Sequence, residues 1–270
     1  MGRFLENTAV ESVGGGRYRA QVDPGWAVID GAAPNGGYML ALVARAMADA
    51  GGMVDPLSVT GHFLAPCAPG PVEVACAVVR AGRRHATVSA SLVQDGRVMT
   101  QALGVFGDLA AASGPSVDRR DPSPIPPLEE CGAPFGDRPE VPPIAQRVDL
   151  RAAPEVMGWV NGAPTGDGMV GGWARWADGA SMDTFGLLVL ADAFPPAVFN
   201  LDGLSVGWAP TVELTVQVRG RPVGAWQASW FTTRTVTDGY LEEDGEVRDT
   251  DGRLLALSRQ LALVPRAAGG

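Results

Sequence analysis

The strongest constraint in this chain is a distance. Asp95-Gly96-Arg97 and Asp251-Gly252-Arg253 have the form of hairpin turns between apolar runs, and they stand 156 residues apart (251 − 95). Pro66 and Pro222, each closing the first strand-like run of its region, stand at the same offset (222 − 66 = 156). Register kept over about three strands points to one structural unit used twice.

Each copy reads as a helix followed by antiparallel strands. In the first, "APNGGYMLALVARAMADA" passes from turn residues to apolar residues recurring every three or four positions, and Gly51-Gly52 ends it. The runs "LSVTGHFLA", "PVEVACAVVRAG", "ATVSASLVQDG" and "VMTQALGVFG" follow as strands. In the second, "FGLLVLADAF" is a short helix, and "TVELTVQVR", "GAWQASWFTTRTV", "GYLEEDGEVRD" and "RLLALSRQLALV" are strands. The proline-rich, acidic stretch between them is a linker, which divides the chain into units 1–112 and 146–270 around a connection over 113–145. A helix wrapped by an antiparallel sheet, present twice, predicts an α+β fold of the double hotdog type.

Composition removes several classes of function. Net charge is −9 and all 21 basic residues are arginine, with no basic stripe to neutralise a phosphate backbone, so nucleic acid is not an expected partner. No apolar run reaches the ~18 residues of a membrane span and the first residues have no signal-peptide core, so a cytoplasmic protein without membrane contact is expected. Cys67, Cys76 and Cys131 are widely spaced, and His62 and His85 are the only histidines, so neither a structural zinc site nor any other metal site is expected. "GDGMVG" at 166–171 fits the dinucleotide pattern but precedes no helix, and reads as a loop. No G-x-S-x-G, H-E-x-x-H or Walker sequence occurs.

What remains is polar residues in apolar surroundings. At the start of the first helix, Asn35, Gly36, Gly37 and Tyr38 place free backbone N–H groups at the positive end of a helix dipole, where glycines admit a ligand. The alternative reading is that Asn35 caps the helix and the glycines relieve crowding. Strict alternation in "TVELTVQVR" puts Glu213 and Thr215 on the face opposite Leu214 and Val216. In "LLALSRQLALV" it puts Gln260 with Ser258 and Ala262, facing inward. At the 156-residue offset, Gln260 corresponds to Gly104 and Glu213 to Leu57, so a site built on them exists in one half only.

The segments "PNGGYMLALVARAM", "VTGHFLAP", "PTVELTVQVRGRP", "FTTRTVTDGYLEEDGEV" and "DGRLLALSRQLALV" together resemble the double-hotdog acyl-CoA thioesterases of the thioesterase II type. The resemblance spans most of residues 15–265 outside the linker. It implies hydrolysis of an acyl-thioester by a water held between an acid, a hydroxyl and a glutamine of the second unit, with CoA entering as part of the substrate and no separate cofactor. Carried over by position, the glutamine is Gln260 and the hydroxyl is Thr233, or Thr232 after a one-residue slip. The acid is Glu213, one methylene longer than the aspartate of the family pattern. Glu213 would then take a proton from the water that Thr233 and Gln260 orient, and N–H groups near Gly37 would hold the thioester oxygen, at about 2.7–4 kcal/mol per donor. His62 is expected to line the pocket or to be structural. The trio Arg83, Arg84 and His85 is either plain surface or a contact for the CoA phosphates. The resemblance also implies a homodimer. A hydratase of this fold would need a histidine–aspartate pair near the helix start, which is absent there, and a non-catalytic acyl-CoA or lipid-binding protein is the alternative reading.

Overall fold

In the computed structural model, residues 2–29, 33–121, 124–135, 141–204, 207 and 209–264 are described. The first unit contains α1 (Arg3–Asn7), β1 (Glu11–Gly14), β2 (Arg17–Val22), β3 (Ala27–Ile29), β4 (Ala33–Pro34), α2 (Gly36–Gly51), β5 (Asp55–Phe63), β6 (Gly70–Ala81), β7 (His85–Gln94) and β8 (Arg97–Gly107). The second contains β9 (Val148–Ala152), β10 (Met169–Trp176), α3 (Gly186–Leu190), β11 (Thr211–Val218), β12 (Gln227–Thr232), β13 (Val236–Thr237), β14 (Tyr240–Arg248) and β15 (Leu254–Leu263).

The two units share one antiparallel sheet in the order β1-β2-β6-β7-β8-β5-β11-β15-β14-β12-β10-β9, with β13 beside β14. They meet where β5 pairs with its counterpart β11, Gly61 opposite Leu214 and Val59 opposite Val216. The double hotdog expected from the repeat is the fold observed. The offset holds for the strands: β5 and β11 begin 156 residues apart (211 − 55), and β8 and β15 end 156 apart (263 − 107).

It fails for the helices. Asn35 caps α2 by accepting from the Tyr38 N–H (2.9 Å), and Gly52 closes the helix at φ 62°, as turn residues at the two ends predict. The sixteen residues between lie almost wholly inside the molecule, Leu40 to Ala44 being fully buried. The second helix stops after five residues, because Pro195-Pro196 lie just ahead and a helix cannot continue into a proline pair. The two hairpins also differ. Asp95 and Gly96 both take positive φ (50° and 76°), a tight two-residue turn, whereas Asp249–Arg253 form a wider loop tied by the Asp249 carboxylate.

The "GDGMVG" segment runs into β10 rather than a helix. The described part of the linker lies along the second unit, with Asp118 bonded to Arg248 (2.9 Å) and the Pro126 carbonyl accepting from Trp173 (2.9 Å); residues 122–123 and 136–140 lie outside the described residues. Among the described residues no helix is long and apolar enough to cross a membrane.

The second glycine at the start of α2, Gly37, is a packing requirement. A Cβ on Gly37 would overlap the Leu188 carbonyl oxygen of α3 and stand 2.9 Å from the Val189 Cα, both backbone atoms that cannot rotate away. Gly37→Ala is therefore expected to lower stability by about 1–3 kcal/mol, despite alanine's better helix propensity. Chemical denaturation of the two proteins measures the difference.

Candidate active site

The prolines that end α3 also set the position of an acid. Asp192 follows the last helical turn, its own N–H donating to the Val189 carbonyl (2.9 Å), and its carboxylate reaches the start of α2. There its Oδ2 accepts from Asn35 Nδ2 (2.9 Å) and from the Gly37 N–H (2.9 Å), while the Asn35 amide also donates to the Asp192 carbonyl (2.6 Å). The cap reading of the helix start is the one observed: Asn35 caps α2, and the Gly37 N–H expected to hold a ligand oxygen donates instead to the protein's own Asp192 carboxylate. Burial pushes the Asp192 carboxyl up to about 6, although the Gly37 and Gly36 N–H groups and the Asn35 amide act to lower it.

Asp192, Asn35 and Gly36 line a cavity of about 550 Å³ that also takes in Gln260, Thr211 and Glu243. Its remaining wall is largely apolar, with Phe63, Phe194 and Trp159 among the contributors, and its size is that of a small-molecule site. Gln260 is 6% exposed. Its Oε1 accepts from the Thr211 hydroxyl (3.1 Å) and its Nε2 donates to Glu243 Oε1 (2.9 Å). The other Glu243 oxygen accepts from the Ala197 N–H (2.6 Å). Burial raises the Glu243 carboxyl to about 8, with the Asp192 charge also raising it.

Thr211 reaches the cavity through a break in alternation. Across β11 and β15, Thr211 pairs with Ala262 and Glu213 with Leu261, so Val212 is an extra residue in a bulge. Paired residues share a face. Ala262 is 1% exposed and Leu261 39%, so the bulge turns Thr211 inward and leaves Glu213 outward. Strict period-two reading of "TVELTVQVR" puts both on one side, and that is the step the structure changes.

Of the residues expected from sequence, the structure brings Gln260, Asn35 and Gly36 to the cavity wall. Glu213 is on the other face of the sheet, accepting from the Thr215 hydroxyl (2.5 Å) and paired in register with His62. His62 is exposed there. Thr233 is buried past the end of β12, its N–H donating to the Gly168 carbonyl (2.8 Å), and neither it nor Thr232 is on the wall. Tyr38 stacks on Trp26 (5.0 Å, 3°) and donates its hydroxyl to the Asn7 carbonyl (2.9 Å). Gly37 touches the site through Asp192 alone. Arg83, Arg84 and His85 join β6 to β7 at the Asp55 end of the sheet, opposite the Phe63 end that borders the cavity. Eight residue steps along β5 separate those ends (63 − 55), about 26 Å.

Two signals in the sequence point to the residues that alternation missed. Asp192 is the acid inside the apolar run "FGLLVLADAF" just before Pro-Pro, where the helix must break. Counting back through the hairpin from Asp251-Gly252 puts Glu243 directly opposite Gln260, the register observed.

The shared antiparallel sheet and the long buried helix define a double hotdog protein, and an apolar cavity beside that helix carries an acid, a hydroxyl and an amide drawn from the second unit. Comparison with known proteins gives the family. Residues 22–107 match the acyl-CoA thioesterase N-terminal domain and residues 126–264 the acyl-CoA thioesterase C-terminal domain, and the chain belongs to the acyl-CoA thioesterase family. A crystal structure from Thermobifida fusca, assigned as a thioesterase II, is 32% identical with a TM-score of 0.88, covering 98% of this chain and all of its own. An acyl-CoA thioesterase II from Mycobacterium marinum shares the fold at 17% identity and a TM-score of 0.73, over 99% of this chain and 100% of that one. An uncharacterized protein of Mycobacterium tuberculosis is 27% identical over 92% of this chain and 91% of its own length.

The raised Asp192 carboxyl has a consequence for stability. Its folded value near 6 exceeds the unfolded ~3.9, so the unfolded chain releases this proton first as pH rises. Stability from this group is full below about pH 4 and is lost as pH climbs through 6. Melting temperatures of wild type and Asp192→Asn from pH 4 to 8 should show the difference, variant minus wild type, moving in the variant's favour up to about pH 7 and then levelling.

Proposed function

We propose that the protein hydrolyses an acyl-CoA thioester to the free acid and CoA, with Asp192 as general base and Thr211 and Gln260 holding the attacking water. One observation carries this reading. A carboxylate with a raised pKa and a hydrogen-bonded hydroxyl–amide pair stand on the wall of the same apolar cavity.

The donor and acceptor inventory fits one water. Asp192, ionised at neutral pH, accepts one water hydrogen. Thr211, whose own hydrogen goes to Gln260, accepts the other, and the second Nε2 hydrogen of Gln260 is free to donate to the water oxygen. As the water oxygen bonds to the thioester carbon, its proton passes to Asp192 and the carbonyl π electrons move to oxygen. The positive end of α2, whose first residue Gly36 is on the wall, favours that charge. Re-forming the carbonyl breaks the C–S bond, and the proton on Asp192 goes to the departing thiolate. The acyl chain lies along the apolar wall, where each buried methylene contributes about 0.8 kcal/mol. Acyl-CoA as the substrate, a homodimer and a cytoplasmic location belong to the same proposal.

Thiol release from acyl-CoA substrates of graded chain length tests it. Asp192→Asn should lower kcat by about 10²–10⁴-fold with little change in KM, Gln260→Ala should lower kcat less, and kcat in wild type should rise with pH through about 6. Glu213→Ala decides between the two acids: a collapse of kcat in that variant with Asp192→Asn unaffected would return the role to Glu213. Binding of acyl-CoA with no thiol release from any substrate would establish the non-catalytic alternative.

A further inference from the structure

Glu243 lines the cavity, yet the hydrolysis derived above gives it no task. It is 6% exposed, on β14, directly opposite Gln260 of β15 in the sheet register. We propose that Glu243 is a positioning residue for this site: held by the Ala197 N–H on one oxygen, it fixes with the other which end of the Gln260 amide faces Thr211. The inference rests on the thioesterase reading for its consequence in catalysis, and on geometry alone for the coupling between the two side chains.

The argument is one of donors and acceptors. A backbone N–H only donates, so the Glu243 oxygen against Ala197 (2.6 Å) must accept. That leaves Oε1 for Gln260. When Glu243 is ionised this oxygen also only accepts, so it selects the amide NH₂ and turns the Gln260 carbonyl oxygen toward Thr211, the arrangement observed at 2.9 Å and 3.1 Å. Thr211 then donates to Gln260 and keeps its lone pairs for the water. When Glu243 is protonated, Oε1 becomes a donor and the carbonyl oxygen of the Gln260 amide accepts from it instead. Gln260 turned that way directs its NH₂ at Thr211, takes one of its two lone pairs and releases the Thr211 hydrogen, so the hydroxyl meets the water as a donor rather than as a free acceptor.

The charged groups acting on Glu243 are both acids, Asp192 beyond α3 and Glu242 on its own strand. With burial as the larger cause, they raise its carboxyl to about 8, so the choice between the two amide orientations falls in the neutral to alkaline range. The competent, ionised form gains as pH rises. Wild type should therefore show two ionisations in kcat, one near 6 from Asp192 and a second near 8 from Glu243, activity increasing through both.

Glu243→Gln tests this with almost no change of shape. Its carbonyl takes the Ala197 N–H and its NH₂ faces Gln260 at every pH, which imposes the reversed amide. The expected result at pH 8.5 is a kcat at least tenfold lower with KM within about threefold, and a pH profile that keeps the lower ionisation and lacks the upper one. A Glu243→Gln profile that matches wild type in kcat and in both ionisations overturns the proposal. A second measurement does not depend on hydrolysis. The side-chain amide resonances of Gln260, identified by their loss in Gln260→Glu, should titrate near pH 8 in wild type and stay constant in Glu243→Gln. Resonances that ignore pH in wild type overturn the coupling itself. Their titration in a protein that releases no thiol would support the coupling and count against the thioesterase reading alone.

Discussion

Three hydrogen bonds at one residue, two to the Asp192 carboxylate and one to its backbone carbonyl, tie the molecule's halves together. Asp192 enters from the second unit and is met by Asn35 and the first amides of α2 from the first, so the start of the central helix is satisfied by the opposite half of the chain. The same contact fixes Asn35 as a cap, brings Leu188 so near Gly37 that only glycine fits, and leaves the acid on the cavity wall. Burial disfavours the charge while the helix start favours it. The balance leaves a carboxyl close to neutrality, as a general base requires.

The duplicated strands supply a symmetric frame and the differences between copies supply the site. At Gln260's counterpart, Gly104, a Cβ would press on Phe106 and Met47, so the first unit fills with core where the second is polar. Thr211 corresponds to Asp55, which is used as a structural hub: its carboxylate accepts from Thr184 (2.9 Å), from the Leu109 N–H (2.8 Å) and from Arg221 (2.7 Å). The first copy therefore keeps a full-length helix and a closed interior. The second gives up most of its helix to Pro195-Pro196 and gains an opening whose wall carries Asp192, Thr211 and Gln260.

The cavity places two acids of different strength near one amide. Asp192 is favoured as an anion by N–H groups, whereas Glu243 has one N–H and one amide donor and feels the Asp192 charge as well. Unequal environments separate their proton affinities by about two pH units, so the base ionises first and the acid that orients Gln260 follows at higher pH. The three polar side chains Thr211, Gln260 and Glu243 form a chain whose direction depends on which end donates. A site of this kind responds to a single proton without any movement of the backbone.

The repeat, the antiparallel strands, the helix that starts after Asn35 and ends at Gly51-Gly52, and the inward side of Gln260 were all legible in the chain, because they follow from local periodicity, from turn residues and from equal spacing in the two halves. The β14–β15 register that joins Glu243 to Gln260 was present in the hairpin count. The company Gln260 keeps depends instead on how the chain packs. Period-two alternation assumes an unbroken ladder, and the bulge at Val212 puts Thr211 and Glu213 on opposite faces. Spacing along the chain does not report that Asp192 crosses to the helix start 155 residues earlier at Gly37 (192 − 37), because that contact depends on how two helices of unequal length meet inside a shared sheet.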